Sequence, residues 1–499
     1  MTAHGEPVAF APRDALVVSV RGGARLCVPP VVNQITPYVL LEQEDWFEDE
    51  IRFVRAWLQP GMRAVDVGAN YGVYTLAAAM RVGPAGRVWA IEPTPQCAAF
   101  LRRSLEINGC TQAQVLETAV SERRGPVRFS LKSLSETNAV AEGADAGPTI
   151  EVQASTLDEL AAECGWSGID FVKLDVEGHE LRAIRGAERF LGANSPLVMI
   201  EVLASAKFEH AAVERLAAMG YAAYRLLPGP LVLVPFRPGE PLDPYQINLF
   251  ACKPDRAAGL AAAGRLAEDL PAQPIRPDGE AWGRYAASAP YATALAGRWP
   301  GKAGFFAPGA TRDYFEGLSA FAASRAAEQG AARRWALLER AWQAVEAAVA
   351  PGSSPTRHLS RARIAWELGR RDLAVRSLTA LANLLEREAA DPYAEPFLSP
   401  GPRFEALAWS PDPAAWLRCA TLEQLEKLRQ FSSIFVTDGT QHVIVEALAR
   451  MPQRSPEMDR RAQLVRMAAG RQAGPEPAPS LRERSEENLN PEFWCSRSR

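Results

Sequence analysis

A chain of 499 residues exceeds one ordinary domain, and 47% hydrophobic with 23% charged residues is a normal globular balance. The formal net charge of -4 gives no general pull toward nucleic acid or anionic lipid. Residues 1–20 lack the basic and apolar regions of a signal peptide, and no apolar stretch approaches the roughly 18–20 residues that span a bilayer. These features predict a cytoplasmic protein of two or three domains, with no nucleic-acid partner and no membrane span. The seven cysteines (27, 97, 110, 164, 252, 419 and 495) are scattered without a C-x-x-C pair, which predicts buried thiols, not zinc or disulfides.

Residues 1–60 read as an N-terminal cover with a lead-in helix. Leu16–Val20 and Tyr38–Leu41 are β-prone pieces, and from Trp46 to Leu58 the apolar Phe47, Ile51, Val54 and Leu58 recur at helical spacing, with the acids Glu44, Asp45, Glu48 and Asp49 near the start and Pro60-Gly61 after the end. Over 61–254, strand and helix patterns alternate, which predicts a largely parallel sheet with helices on both faces. Ala64–Val67 leads into the turn Gly68-Ala69-Asn70-Tyr71-Gly72, and Arg87–Ile91 ends in Glu92-Pro93. Gln114–Thr118, Asp170–Leu174 and Leu197–Ile200 supply three more strands. The helices between them are predicted over 95–107, 156–164, 179–191 and 209–219, and 121–155 is less regular, with a surface loop over 143–148. Tyr221–Leu226, Leu231–Val234 and Asn248–Cys252 complete the series.

Beyond 254 alanine and arginine become frequent and β-branched runs thin out, so this half is predicted to be helical. Residues 255–310 read as an irregular connection with short helices, 311–450 as an α-helical domain and 451–499 as a flexible tail. A weak repeat lays Glu328–Leu337 over Glu367–Arg376, each with a Gly between two helices, in the manner of tetratricopeptide pairs.

The chemistry is expected at the carboxyl ends of the parallel strands, where open α/β sheets bind their ligands. Four strands end in acids: Asp66, Glu92, Asp175 and Glu201. One such carboxylate is commonly a helix cap. Four of them beside a glycine turn point to a ligand. Gly68 and Gly72 lie four apart, which fails the dinucleotide spacing G-x-G-x-x-G. Asp66 would repel a pyrophosphate but hold an ammonium group, so the ligand inferred is like adenosylmethionine. The turn is expected to leave backbone N–H groups free for it. Glu92 is placed to accept from ribose hydroxyls, and Thr118, Ala119 and Val120 to meet an adenine edge. Asp175, Glu177, His179 and Glu180 form a second charged cluster, with Lys173 on the same side of its strand as Asp175.

The stretches Asp66–Gly72, Ile91-Glu92-Pro93, Thr156–Leu160, Val172–Glu180 and Asn248–Ala251 together resemble the FkbM-type methyltransferase family over roughly residues 40–254. The resemblance implies an α/β class I methyltransferase fold, Rossmann-like, with a seven-stranded sheet whose last strand is antiparallel. It implies S-adenosyl-L-methionine as methyl donor and O-methylation of a sugar, glycan or natural-product hydroxyl. Asp66, Gly68, Asn70, Gly72, Glu92 and Ala119 are then assigned to the donor, and Asp175, Glu177 and His179 to the reacting end. His179 is the base best matched to neutral pH, and a solvated first-turn residue is its other reading. No metal is assigned; a divalent ion on Asp175, Glu177 and Glu201 is the alternative. A nicotinamide-dependent oxidoreductase is the competing enzyme class. A scaffold is the other alternative, with the helical half as the surface for a protein partner.

Overall fold

Apolar runs of four to six residues bounded by turns are too short for helices, and in the computed structural model of the chain they form one mixed sheet of eight strands. The structure describes residues 15–130, 149–202, 210–237, 239–273, 275–299, 309–326, 329–386, 391–436 and 442–468. The strands are β1 (Arg63–Val67), β2 (Arg87–Ile91), β3 (Ala113–Leu116), β4 (Phe171–Leu174), β5 (Leu197–Glu201), β6 (Ala222–Leu227), β7 (Val232–Pro235) and β8 (Asn248–Cys252). Their spatial order is β7-β6-β8-β5-β4-β1-β2-β3. Pairs from β5 to β3 are parallel, β8 is antiparallel to both β5 and β6, and β7 is antiparallel to β6. This is the class I methyltransferase arrangement of seven strands, with β7 as an eighth at the edge.

The chain leaves β1 outward through β2 and β3, then returns to β4 on the other side of β1. That reversal opens a crevice at the carboxyl ends of β1 and β4. Alternation along each strand feeds two apolar layers. Ala64, Leu76, Phe100 and Phe250 pack in one; Val65, Val67, Ile184 and Phe190 pack in the other. Asp66 and Lys173 face each other in the β1–β4 register, both buried.

Several sequence expectations are corrected. Tyr38–Leu41 lies inside the helix Ile35–Gln43; Tyr38, Val39 and Leu40 are all buried, and a helix covered on every side shows no helical period to read. The lead-in helix starts at Glu50, not Trp46, which frees Trp46–Asp49 to bend toward the crevice. The helix expected over 179–191 is two, Glu180–Arg185 and Glu188–Asn194. They part at Gly186, where a Cβ would sit 2.2 Å from the Ser121 carbonyl oxygen. Within 121–155, Gly125–Ser130 and Thr149–Ser155 pair antiparallel, and Ala119–Val120 joins as a third strand. The loop expected over 143–148 lies outside the described residues.

The boundary at 254 is not a break in packing. Helix Pro254–Ala262 buries Ala257 and Leu260 in the same core as Phe250. The stretch 255–310 does contain short helices, Ala281–Ser288 and Pro290–Leu295. Longer ones follow at Ala310–Ser324, Ala331–Ala348, Arg357–Glu367, Arg371–Leu385 and Pro413–Arg429. Gly330 and Gly369 each stand between two of these. Gly369 has φ +73°, and its Cβ position lies 3.0 Å from the Leu226 carbonyl on β6. The tail over 451–499 is corrected too: Pro456–Ala468 is a helix with Met458 and Arg461 buried. Residues 469–499 are outside the described residues.

That last helix fastens the two halves together. Arg461, 1% exposed, lies 2.8 Å from Glu42 and 3.1 Å from Glu426. Glu42 also accepts from the Ser433 backbone N–H at 3.1 Å, and Tyr38 Oη lies 2.8 Å from Ser433 Oγ. Removing the cation from such a buried group leaves two uncompensated carboxylates. Arg461→Met is therefore expected to destabilise the protein by about 3–5 kcal/mol, read as a lower urea midpoint.

Candidate active site

β1 delivers Asp66 into the crevice with one oxygen satisfied and one not. Oδ2 accepts from Thr75 Oγ1 at 2.6 Å, whereas Oδ1 is buried without a hydrogen-bond partner. Burial pushes this carboxyl above its ordinary range, against the pull of Lys173 and the Thr75 bond. The turn that follows needs Gly68 twice over. Its φ is +77°, and a Cβ there would sit 1.8 Å from the Asp175 carbonyl oxygen, so the glycine turn packs directly under the loop after β4. Asn70 also has positive φ, at 47°, and Gly72 opens the next helix at φ +92°.

The backbone donors of Gly68, Ala69, Asn70 and Gly72 in this turn are engaged, contrary to the sequence expectation. Gly68 and Ala69 N–H both donate to the Ile91 carbonyl at 3.0 Å, and Gly72 N–H donates to Ala69 at 2.8 Å. Asn70 N–H donates to Glu92 Oε2 at 2.8 Å, and Thr94 N–H donates to Glu92 Oε1 at 2.8 Å. Glu92 thus ties the glycine turn to β2 and keeps lone pairs on both oxygens. Burial raises its carboxyl from the usual range.

At the end of β4, Asp175, Glu177 and Glu201 bring carboxylate oxygens within 4.8 Å of one another. A divalent ion accepts such a set, but a cation of the chain already stands there. Lys173 Nζ is 2.6 Å from Asp175 Oδ2. Burial alone would discourage its charge; Asp175, Asp66 and Glu48 outweigh that and hold it above the ordinary lysine range. Glu201 is pushed up to about 11 by burial and by Asp175 and Glu177, so it carries a proton at neutral pH. His179 is not a solvated helix residue. It is buried on the crevice wall, with Nε2 3.2 Å from Ser121 Oγ.

All of the sequence-predicted site residues except Gly72 and Glu180 line one cavity of about 540 Å³, a volume ordinary for small-molecule sites. Gly72 sits behind it, 2.1 Å from Leu101 by its Cβ position; Glu180 instead accepts from the Val176 and Gly178 N–H groups. The cavity also takes residues that sequence reasoning missed. Glu48 accepts from Tyr74 Oη at 2.5 Å and from Asn248 Nδ2 at 3.0 Å. Trp46 and Phe47 come from the same bend, and Phe431 and Phe435 from the helical half. The acids at 44–50 read as a helix start, which hid their turn toward the site.

Residues 66–226 match the family model described as the methyltransferase FkbM domain. This segment is an FkbM-type methyltransferase domain. The chain is 29% identical to the 31-O-demethyl-FK506 methyltransferase FkbM of Streptomyces tacrolimicus, over 26% of this chain and 61% of that protein. It is 39% identical to a protein-L-isoaspartate O-methyltransferase of Triticum aestivum over 11% of this chain and 24% of that one. The chain thus spans less than two thirds of the length of these curated relatives. The solved FkbM methyltransferase of Methylobacillus flagellatus is 19% identical, with a TM-score of 0.27, over 38% of this chain and 43% of its own. The residues of the FkbM domain fit S-adenosylmethionine. The unpartnered, buried Asp66 Oδ1 suits an ammonium group, and acidic walls suit a cationic sulfur while opposing the pyrophosphate of a nicotinamide dinucleotide.

Asp66→Ala and Glu92→Ala are each expected to weaken S-adenosylhomocysteine binding about 10- to 150-fold, measured by calorimetry. A second expectation concerns Glu50, beside the cavity, which burial and Glu48 push up to about 8. Its folded value lies above its unfolded one, so stability falls as pH rises from the ordinary glutamate range through 8. Glu50→Gln should accordingly melt close to the parent at pH 5 and higher than it at pH 9.

Proposed function

We propose that the chain is an S-adenosylmethionine-dependent O-methyltransferase acting on a hydroxyl of a sugar, glycan or natural product. The observation that carries this reading is the buried, half-satisfied Asp66 carboxylate, set in one cavity with Glu92 and with the Asp175 cluster at neighbouring strand ends. The Streptomyces tacrolimicus relative, named a 31-O-demethyl-FK506 methyltransferase, supports a hydroxyl acceptor.

S-Adenosylmethionine supplies a methyl group on a positively charged sulfur. Asp66 holds the donor's ammonium, and Glu92 accepts from the two ribose hydroxyls with the lone pairs its backbone partners leave. Ala119, small and buried on the cavity wall, leaves room for the adenine edge. Gly68 and Asn70 let the main chain approach closely, and Gly72 turns it into the helix behind. At the reacting end Asp175 is fixed by Lys173, and with Glu177 it orients the acceptor hydroxyl. His179, held through Nε2 by Ser121 Oγ at 3.2 Å, takes the hydroxyl proton. Most of the rate comes from positioning.

Labelled-methyl transfer to hydroxylated acceptors tests the reading. His179→Gln is expected to lower kcat about 10²- to 10⁴-fold while S-adenosylhomocysteine affinity stays unchanged. Tight NADH binding with no response to S-adenosylmethionine would overturn it.

A further inference from the structure

Among the described residues the helical half reaches the cavity through one short segment, and that segment is aromatic. Helix Pro413–Arg429 ends at Gln430, and the chain then turns through Phe431 and the short 3-10 helix Ser433–Phe435. Its placement is fixed from both sides. Arg371 donates to the carbonyls of Leu428 and Lys427 at 2.7 and 2.9 Å, with its guanidinium 3.9 Å from the Phe431 ring centre. Gln43 Nε2 donates to the Phe431 carbonyl at 2.5 Å, and Ser433 is held by Glu42. The rings then meet those of the bend before the first sheet helix. Phe47 lies 4.7 Å from Trp46, 5.2 Å from Phe431 and 5.8 Å from Phe435, centre to centre.

These rings line the cavity together with a different chemistry. Its ionisable lining comprises Asp66, Glu92, Asp175, Glu177, Glu48 and the protonated Glu201, against Lys173 and His179 and no arginine among the described residues. A phosphate or carboxylate brought here would enter a negative field with its one lysine already bound to Asp175. An uncharged ring can lay its apolar face on the aromatic wall and turn its hydroxyls to the acids. Phe435 lines the cavity while 42% exposed, so part of its ring is open to a ligand.

From this arrangement we infer that Phe431 and Phe435 of the helical half are specificity-determining residues. They form the platform for the acceptor, and the acceptor is an uncharged, hydroxyl-bearing ring compound, not a phosphorylated or carboxylated one. The inference rests on the methyltransferase reading for the word acceptor. The platform itself rests on the lining and the ring geometry.

The test is ligand-observed NMR titration of the full chain with p-nitrophenyl β-D-glucopyranoside and with its 6-phosphate, each with S-adenosylhomocysteine present. The neutral glucoside is expected to bind, and the 6-phosphate to bind at least tenfold more weakly. Phe435→Ala should weaken the glucoside about three- to tenfold, Phe435→Trp should restore it, and S-adenosylhomocysteine affinity should be unchanged in both. The exposed position keeps both variants folded, checked by their melting curves. A glucoside that does not bind, a 6-phosphate that binds equally well, or a Phe435→Ala protein that binds the glucoside as the parent does would each overturn the platform. Failure of S-adenosylhomocysteine to bind the parent would defeat the methyltransferase reading instead, and the two sugar titrations would still decide the platform.

Discussion

A single ammonium group makes the site compatible with a folded sheet. Lys173 stands on the central strand β4, across from Asp66 in register and 2.6 Å from Asp175. Its Nζ also lies 5.2 Å from the centre of the Tyr74 ring. Burying several carboxylates in one crevice without a cation would force most of them to neutralise. With Lys173 in place Asp175 has a fixed counter-charge, and burial beside Asp175 and Glu177 pushes the Glu201 carboxyl well above the ordinary range, which removes one more negative charge. The cost of assembling an acidic pocket is therefore met inside the protein before any cationic ligand arrives.

Around that centre the two halves divide the work by chemistry. The α/β half holds the charged floor, built from strand ends that the sheet sets side by side. The helical half contributes rings and a brace. Arg461, Glu42 and Glu426 form a buried ion group whose worth lies in orientation more than in net stability. Arg371 repeats the same logic closer to the cavity, with its guanidinium against Phe431 and two carbonyls at a helix end.

Much of the sheet was legible because each strand is a short apolar run closed by a turn and followed by a helical period. The acids at its carboxyl ends were legible for the same reason: topology places every strand end in one crevice, so order in the chain becomes proximity in space. The free N–H groups expected at the glycine turn were not there, because Ile91 and Glu92 accept from that turn, and no local pattern announces a partner some 22 residues away. The fully buried helix Ile35–Gln43 carried no period and passed for a strand. Phe431 and Phe435 were invisible as site residues, since nothing in their neighbours' sequence records that Arg371 and Glu42 hold them over a crevice built by another half of the chain.

The brace between the termini also sets a schedule for synthesis. Arg460, whose guanidinium donates to the Glu42 carbonyl, lies 418 residues after it. At translation rates of about 5–20 residues per second, Glu42 leaves the ribosome about 20–80 s before its partner. Through that interval the helix Ile35–Gln43 has a carboxylate without its arginine and an apolar face without its cover. The sheet can assemble early, but the helix Ile35–Gln43 lacks its partners until Pro456–Ala468 has been made.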